Sequence, residues 1–351
     1  MRSAGRFRSF SWFAIAAIYY IFAQQVSLRA ANGLSSGDWF PLVNSLILLF
    51  LLLVGYAGMG YAAQHQQQPL KIMGLVRREG WKREFAVGAA IGWVGVVACV
   101  LPVAVFGGLV ITFWKGGHQY FLLLVHLTTL AALSLAQEIA FRGYPFQRLM
   151  DSIGPTLATL FMPVLYTAIH MMNTDASAAS VLVTILLGWL LSIAYLRTRA
   201  LWVPWGIHFA WNASMALLFG LPVSGMTTFN PVISSNTVGP PWLTGGDYGP
   251  EGSAIAVIVA LLLMIVLVKA TRDYAHRYAQ PVIVPAGMPV DIDTMARRQH
   301  EAAMGAVPNP SEPQLVQISP AMPSGNGTTS SSSSESGPEK PRFVDEEGEK
   351  V

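Results

Sequence analysis

The stretch FLLLVHLTTLAALSLAQEIAFRG, residues 121–143, is apolar over a bilayer's thickness, yet it carries a carboxylate and a guanidinium, Glu138 and Arg142. A helix crossing the hydrocarbon core needs about 20 mostly apolar residues, so this stretch reads as membrane-spanning. Ionisable groups at membrane depth are costly, so Glu138 and Arg142 mark a functional site by default. They stand four residues apart and share one helix face. Gly143 and Pro145, just beyond, predict a kink or break there.

Working outward, the 351-residue chain is 53% hydrophobic and only 12% charged. Its mean hydropathy is +0.46. Soluble proteins are about 25% charged, so an ordinary soluble enzyme is excluded. The net charge of +3 comes with no basic block interleaved with aromatics, and no nucleic-acid partner is expected. The single cysteine, Cys99, cannot form an internal disulfide.

Apolar runs at 10–26, 40–63, 85–114, 121–150, 156–171, 178–196, 201–221 and 253–268 predict an all-α polytopic membrane protein of about eight transmembrane helices. The N-terminus is basic and then apolar, like a signal peptide. It lacks a small-residue cleavage site and is read as an uncleaved first helix. Basic residues alternate with the spans. Arg2, Arg6, Arg8, Lys71, Arg77, Arg78, Lys82, Arg83, Arg148, Arg197, Arg199, Lys269, Arg272 and Arg277 fall on one side, the opposite loops hold only Arg29 and Lys115, and the 222–252 loop has no Lys or Arg at all. The positive-inside rule then places both termini in the cytoplasm of a cell (plasma or inner) membrane protein, with membrane lipids as neighbours. Residues 64–84 form an interfacial stretch with Trp81 at headgroup level. Tyr19, Tyr20, Trp202 and Trp205 read as lipid or interface anchors. Four segments result: 1–120 with three spans and a basic loop, 121–221 as the chemical core, 222–271 as an extracytoplasmic loop with the last span, and 272–351 as a Pro/Ser/Gly/Glu-rich disordered tail.

Polar residues within the spans carry the chemistry. Besides Glu138 and Arg142 these are Gln137, His170, and His208 with Asn212, the last two again i,i+4. At about 1.5 Å of rise per residue, three helices can bring these groups to one depth. A carboxylate, two imidazoles and a carboxamide around a cavity form a hydrolytic set. Glu138 would bind or activate water with Arg142 orienting it, and His170 would assist as base. His208 and Asn212 would stabilise an oxyanion, and Gln137 would line the site. Metal use stays open: a glutamate-driven route needs none, while Glu138, His170 and His208 would give three ligands of a tetrahedral divalent site such as zinc. HExxH, CxxC, P-loop and dinucleotide fingerprints are absent from the sequence. His126 reads as a packed or interhelical hydrogen-bonding histidine, His65 and His118 as solvated, and Asn173 and Asp175 as capping residues.

The order Gln137-Glu138-x-x-x-Arg142, Tyr166-x-x-x-His170, His208-x-x-x-Asn212 resembles the three motifs, EExxxR, FxxxH and HxxxN/D, of the CPBP intramembrane proteases. That group includes type II CAAX prenyl endopeptidases and Abi proteins. The resemblance covers about residues 121–221. It implies an intramembrane endopeptidase, with metalloendopeptidase chemistry one variant, acting on a membrane-associated peptide or protein, a prenylated C-terminus being one such substrate. Two residues depart from the pattern. Gln137 replaces the first glutamate, which in the family is usually taken to activate water, and Tyr166 replaces phenylalanine. Two other readings stand beside the protease: a catalytically silent relative acting in interaction or immunity, and a proton-coupled transporter using the buried Glu/His set as a relay.

Overall fold

The computed structural model describes residues 2–64, 68–75, 77–171, 175–229 and 232–271, plus the short strands Val282–Ile283 and Pro289–Val290. Helices α1 (Arg2–Leu34), α2 (Phe40–Gln64), a one-turn α3 (Pro69–Ile72) and α4 (Trp81–Phe106) lead to strand β1 (Gly108–Phe113). The core follows with α5 (Gly117–Arg142), α6 (Tyr144–Ile153), α7 (Pro155–His170), α8 (Ala178–Thr198) and α9 (Trp202–Ala213). A π-helical turn, Ser214–Leu218, extends α9. Strand β2 (Ile233–Val238), one-turn α10 (Pro241–Thr244) and α11 (Ala254–Ala270) complete this part, with β3 (Val282–Ile283) and β4 (Pro289–Val290) beyond.

The chain is an all-α membrane protein. Five helical segments are long and apolar enough to cross a bilayer: Gly5–Leu34, Gly37–Ala63, Trp81–Phe106, Gly117–Ile153 and Ala178–Thr198. The remaining three expected spans correspond to α7 of 16 residues, α9 of 12 residues with its π turn, and α11 of 17. All three fall short of the roughly 20 residues a full crossing needs. Outward-facing side chains such as Ile18, Phe22, Phe50, Leu101, Leu262 and Ile265 are exposed, as a lipid-facing surface requires.

Two sequence expectations change here. The third apolar run does not continue to residue 114: α4 stops at Phe106, and β1 pairs antiparallel with β2 from Gly108↔Val238 to Phe113↔Ile233. Gly107 and Gly108 end the helix, and β-branched Val110, Ile111 and Thr112 favour the strand, a distinction that hydrophobicity alone does not make. The aromatic anchors are instead packed inside. Tyr20 and Trp202 are buried, the Tyr19 hydroxyl donates to the Leu51 carbonyl at 2.6 Å, and Trp205 Nε1 donates to the Ala131 carbonyl at 3.1 Å. Trp81 lies against Trp202 at 4.6 Å between ring centroids. The predicted break is present, with α5 ending at Arg142 and α6 starting at Tyr144. The cap of α8 is Ser177, in a reciprocal box with Ser180, rather than Asp175; Asn173 and His65 lie outside the described residues, as does nearly all of 272–351 with its expected disorder.

Three arginine contacts tie neighbouring helix ends together. Arg8 Nη2 donates to the Ala63 carbonyl at 2.8 Å, Arg78 Nη2 to the Thr198 carbonyl at 2.6 Å, and Arg197 Nε to Thr271 Oγ1 at 2.6 Å.

The seam that places the site runs between α4 and α9. A Cβ on Gly88 would stand 2.3 Å from the Val203 carbonyl oxygen, one on Gly92 2.3 Å from that of Ile207, and one on Gly206 2.3 Å from that of Phe85. Gly88-x-x-x-Gly92 is the small-residue spacing that lets membrane helices touch backbone to backbone. On the other flank, a Cβ at Gly188 of α8 would meet Pro163 of α7 at 2.8 Å. These close approaches fix α9 and α7, the carriers of His208, Asn212 and His170.

Candidate functional site

Glu138 and Arg142 lie on the last turns of α5, both fully buried. Arg142 Nη1 donates to Glu138 Oε1 at 3.3 Å, and Nη2 donates to the Gly188 carbonyl of α8 at 3.3 Å. Its guanidinium carbon lies 4.8 Å from the ring centroid of Tyr166 on α7. One arginine thus ties three helices together at the level of the carboxylate.

The same Oε1 of Glu138 lies 2.7 Å from Nδ1 of His208 on α9. A carboxylate paired with a guanidinium accepts hydrogen bonds only, so Nδ1 carries the proton and donates. Nε2 is then the lone-pair nitrogen of the ring. On α7, His170 Nδ1 lies 3.0 Å from the Tyr166 carbonyl oxygen. A carbonyl also only accepts, so His170 has the same tautomer. Tyr166 is the hub between them. Its ring packs on His170 at 4.2 Å, meets His208 edge-on at 6.4 Å, and lies edge-on to Phe141 at 5.0 Å.

These elements line a partly open cavity of about 50 Å³, walled by Gln137, Tyr166, His170, His208 and Asn212 together with apolar Leu130, Leu191 and Ile207. A buried water needs about 10–15 Å³ on this measure, so the space holds a few waters and no peptide. Of the sequence-predicted set, Gln137, Tyr166, His170, His208 and Asn212 share the cavity wall. Glu138 and Arg142 do not line it and stand behind His208. Glu138 therefore presents its charge to the cavity through an imidazole, a different station from the direct water contact expected from the sequence. Glu138 Oε2 and Arg142 Nε have no hydrogen-bond partner among the described residues.

Among the described residues, no three His, Cys, Asp or Glu side chains are grouped so as to hold a metal ion. Both Nδ1 atoms are committed, one to Glu138 and one to the Tyr166 carbonyl, and the Arg142 cation sits against the carboxylate. Glu138, engaged by His208 and Arg142, does not stand as a third ligand beside His170 and His208, whereas each imidazole keeps its Nε2 for a proton or a metal.

The far wall was not legible as part of the site. Val223, Ser224, Met226 and Phe229 of the loop after the π turn line it, with Trp211 and Glu251. Trp211 could have been found from its i+3 spacing to His208. Glu251 had only one signal, a carboxylate just ahead of an apolar helix in a loop that holds Asp247 and no cation. His126 is buried and packs edge-on against Phe229 at 5.6 Å, with neither ring nitrogen hydrogen-bonded to a described residue. Packing rather than interhelical bonding is its structural role. His118 is exposed, as expected.

A family model described as type II CAAX prenyl endopeptidase Rce1-like matches residues 118–214, the segment from the start of α5 to the first residue of the π turn. No curated protein and no solved structure matches the chain.

Proposed function

We propose, from the membership of residues 118–214 in the CPBP/CAAX protease family, that this chain is an intramembrane endopeptidase whose water-activating base is His208 backed by Glu138. The observation that carries the reading is the 2.7 Å contact between Glu138 Oε1 and His208 Nδ1 on the wall of a cavity shared with His170 and Asn212. An imidazole held by a carboxylate at one nitrogen is poised to take a proton at the other.

The steps follow from these groups. Water attacks the carbonyl carbon of the scissile bond and gives one proton to Nε2 of His208. Glu138 stabilises the imidazolium through Nδ1–H, and Arg142 holds the carboxylate in place. His170 accepts the second hydrogen of the same water at Nε2 and so orients it. The Asn212 carboxamide donates to the oxyanion, a contribution typically worth about 10²-fold or more. When the tetrahedral intermediate collapses, the C–N bond breaks and His208 returns its proton to the leaving amine. Gln137 lines the site and can donate or accept a hydrogen bond but cannot act as a base. No step runs through a metal.

The substrate class is a membrane-associated peptide, with a prenylated C-terminus as one member, in an integral membrane protein whose basic helix ends face the cytoplasm. Purified protein in vesicles, offered lipidated and plain peptides and read by mass spectrometry, tests this. Cleavage lost in Glu138→Gln and in His208→Ala at unchanged expression supports it. A wild-type protein that cuts nothing, or an active Glu138→Gln, overturns it. Gln137 on the cavity wall, where the family pattern has its first glutamate, supports the second reading, a silent relative in interaction or immunity. Such a protein would keep its cellular phenotype after His208→Ala.

A further inference from the structure

Glu251 is a buried carboxylate that the reaction just described does not use. Its residue is 6% exposed, and it lies in the loop just ahead of α11. Both oxygens are engaged at short range. Oε1 accepts from Trp211 Nε1 at 2.6 Å, and Oε2 accepts from the Ser224 backbone N–H at 2.6 Å and from its hydroxyl at 2.8 Å. With three donors on it, both oxygens of this carboxylate are already engaged within the protein. Hydrogen bonds to a charged acceptor are the strong ones.

The two partners belong to opposite walls of the cavity. Trp211 lies on α9 at i+3 from His208 and next to Asn212, on the face that carries both. Ser224 lies in the loop that forms the far wall with Val223, Met226 and Phe229. Ser224 holds φ +50°, a conformation that non-glycine residues adopt at a cost, and the surrounding contacts must supply it. The same stretch is braced from the Glu251 side. Gly225 N–H donates to the Tyr248 carbonyl at 3.0 Å, and a Cβ on Gly249 would meet the Pro222 carbonyl oxygen at 2.5 Å.

We propose that Glu251 is a positioning residue that clamps the 223–229 loop onto the His208/Trp211/Asn212 face of α9, so that a peptide reaches the cavity only by working against this clamp. The cavity's small size makes the clamp consequential, because a chain wider than a few waters must displace the loop wall. The kinetic part of this inference rests on the peptidase reading, while the closure of the wall does not.

The test uses the full chain in vesicles. Val223, 2% exposed on the cavity wall, is replaced by cysteine; the native Cys99 is buried and unreactive background. The maleimide labelling rate of Val223→Cys is measured alone and combined with Glu251→Gln, Trp211→Phe or Ser224→Ala. We expect at least about tenfold faster labelling with Glu251→Gln, where an amide N–H faces donors, and smaller increases with Trp211→Phe and Ser224→Ala, which each remove one bond. In cleavage assays, Glu251→Gln lowers kcat about tenfold with KM unchanged or lower, and adding Trp211→Phe costs nothing further, since both act through one contact. Unchanged labelling in every combination, or additive losses of kcat, overturns the proposal. If Glu251→Gln fails to fold, the two milder variants decide it by labelling. If the wild type cuts no peptide, labelling still decides the clamp, and only the peptidase reading falls.

Discussion

Two glutamate–arginine pairs stand among the described residues, one half-buried and one fully buried, and they are built differently. Arg78 and Glu84 meet through two short bonds, Nε to Oε1 at 2.9 Å and Nη2 to Oε2 at 2.8 Å, with Nη2 also on the Thr198 carbonyl. Both carboxylate oxygens are used, and the pair closes the segment ahead of α4 against the end of α8. Arg142 and Glu138 touch through one 3.3 Å bond, with the imidazole of His208 on the same oxygen and Oε2 unpaired among described residues. A saturated pair is structure, whereas a buried polar group with unused bonding capacity calls for a chemical reason. The difference separates a fastener from a machine part without reference to sequence motifs.

Substitutions sharpen this contrast. The largest effect is expected from Glu138→Gln, with kcat of the folded protein down about 10³-fold because the site loses the group that stabilises the imidazolium, together with a lower unfolding midpoint because the buried Arg142 loses its counter-ion. His208→Ala falls equally far, and the double variant is no worse than either alone, since the two act as one unit. Equal losses that multiply in the double variant would break the unit. Asn212→Ala is expected to cost about 10²-fold in kcat with KM held. Glu84→Gln is the opposite case: stability drops by about 1–3 kcal/mol, read as a lower unfolding midpoint, while kcat of the folded fraction stays within about twofold. A catalytic loss there without a stability loss would erase the distinction. Gln137→Ala closes the series with less than about tenfold in kcat; a loss matching that of Glu138→Gln would return the central role to position 137.

Much of this was legible in the chain itself. Helical period and i,i+4 spacing put Glu138 beside Arg142 and His208 beside Asn212, and the apolar surroundings said that such groups had to converge. The break at Gly143 followed from glycine and proline chemistry. Spacing did not show that Glu138 lies behind His208 rather than in the cavity, because a helix face says nothing about which neighbour arrives first. The β1–β2 ribbon was hidden because a β-branched apolar run reads the same as the end of a buried helix. Glu251 and Ser224 were hidden for a deeper reason: a loop has no period, and its return to the cavity is decided by hydrogen bonds made only once the helices are packed.

The glycine seam between α4 and α9 has a consequence for how the molecule breathes. With carbonyl oxygens lying where side chains would begin, that pair has no slack to slide or tilt and serves as an anvil under His208 and Asn212. The clamped loop on the opposite wall is then the counterpart that yields, so the rigid partner sets the geometry of the chemistry and the yielding one sets its tempo.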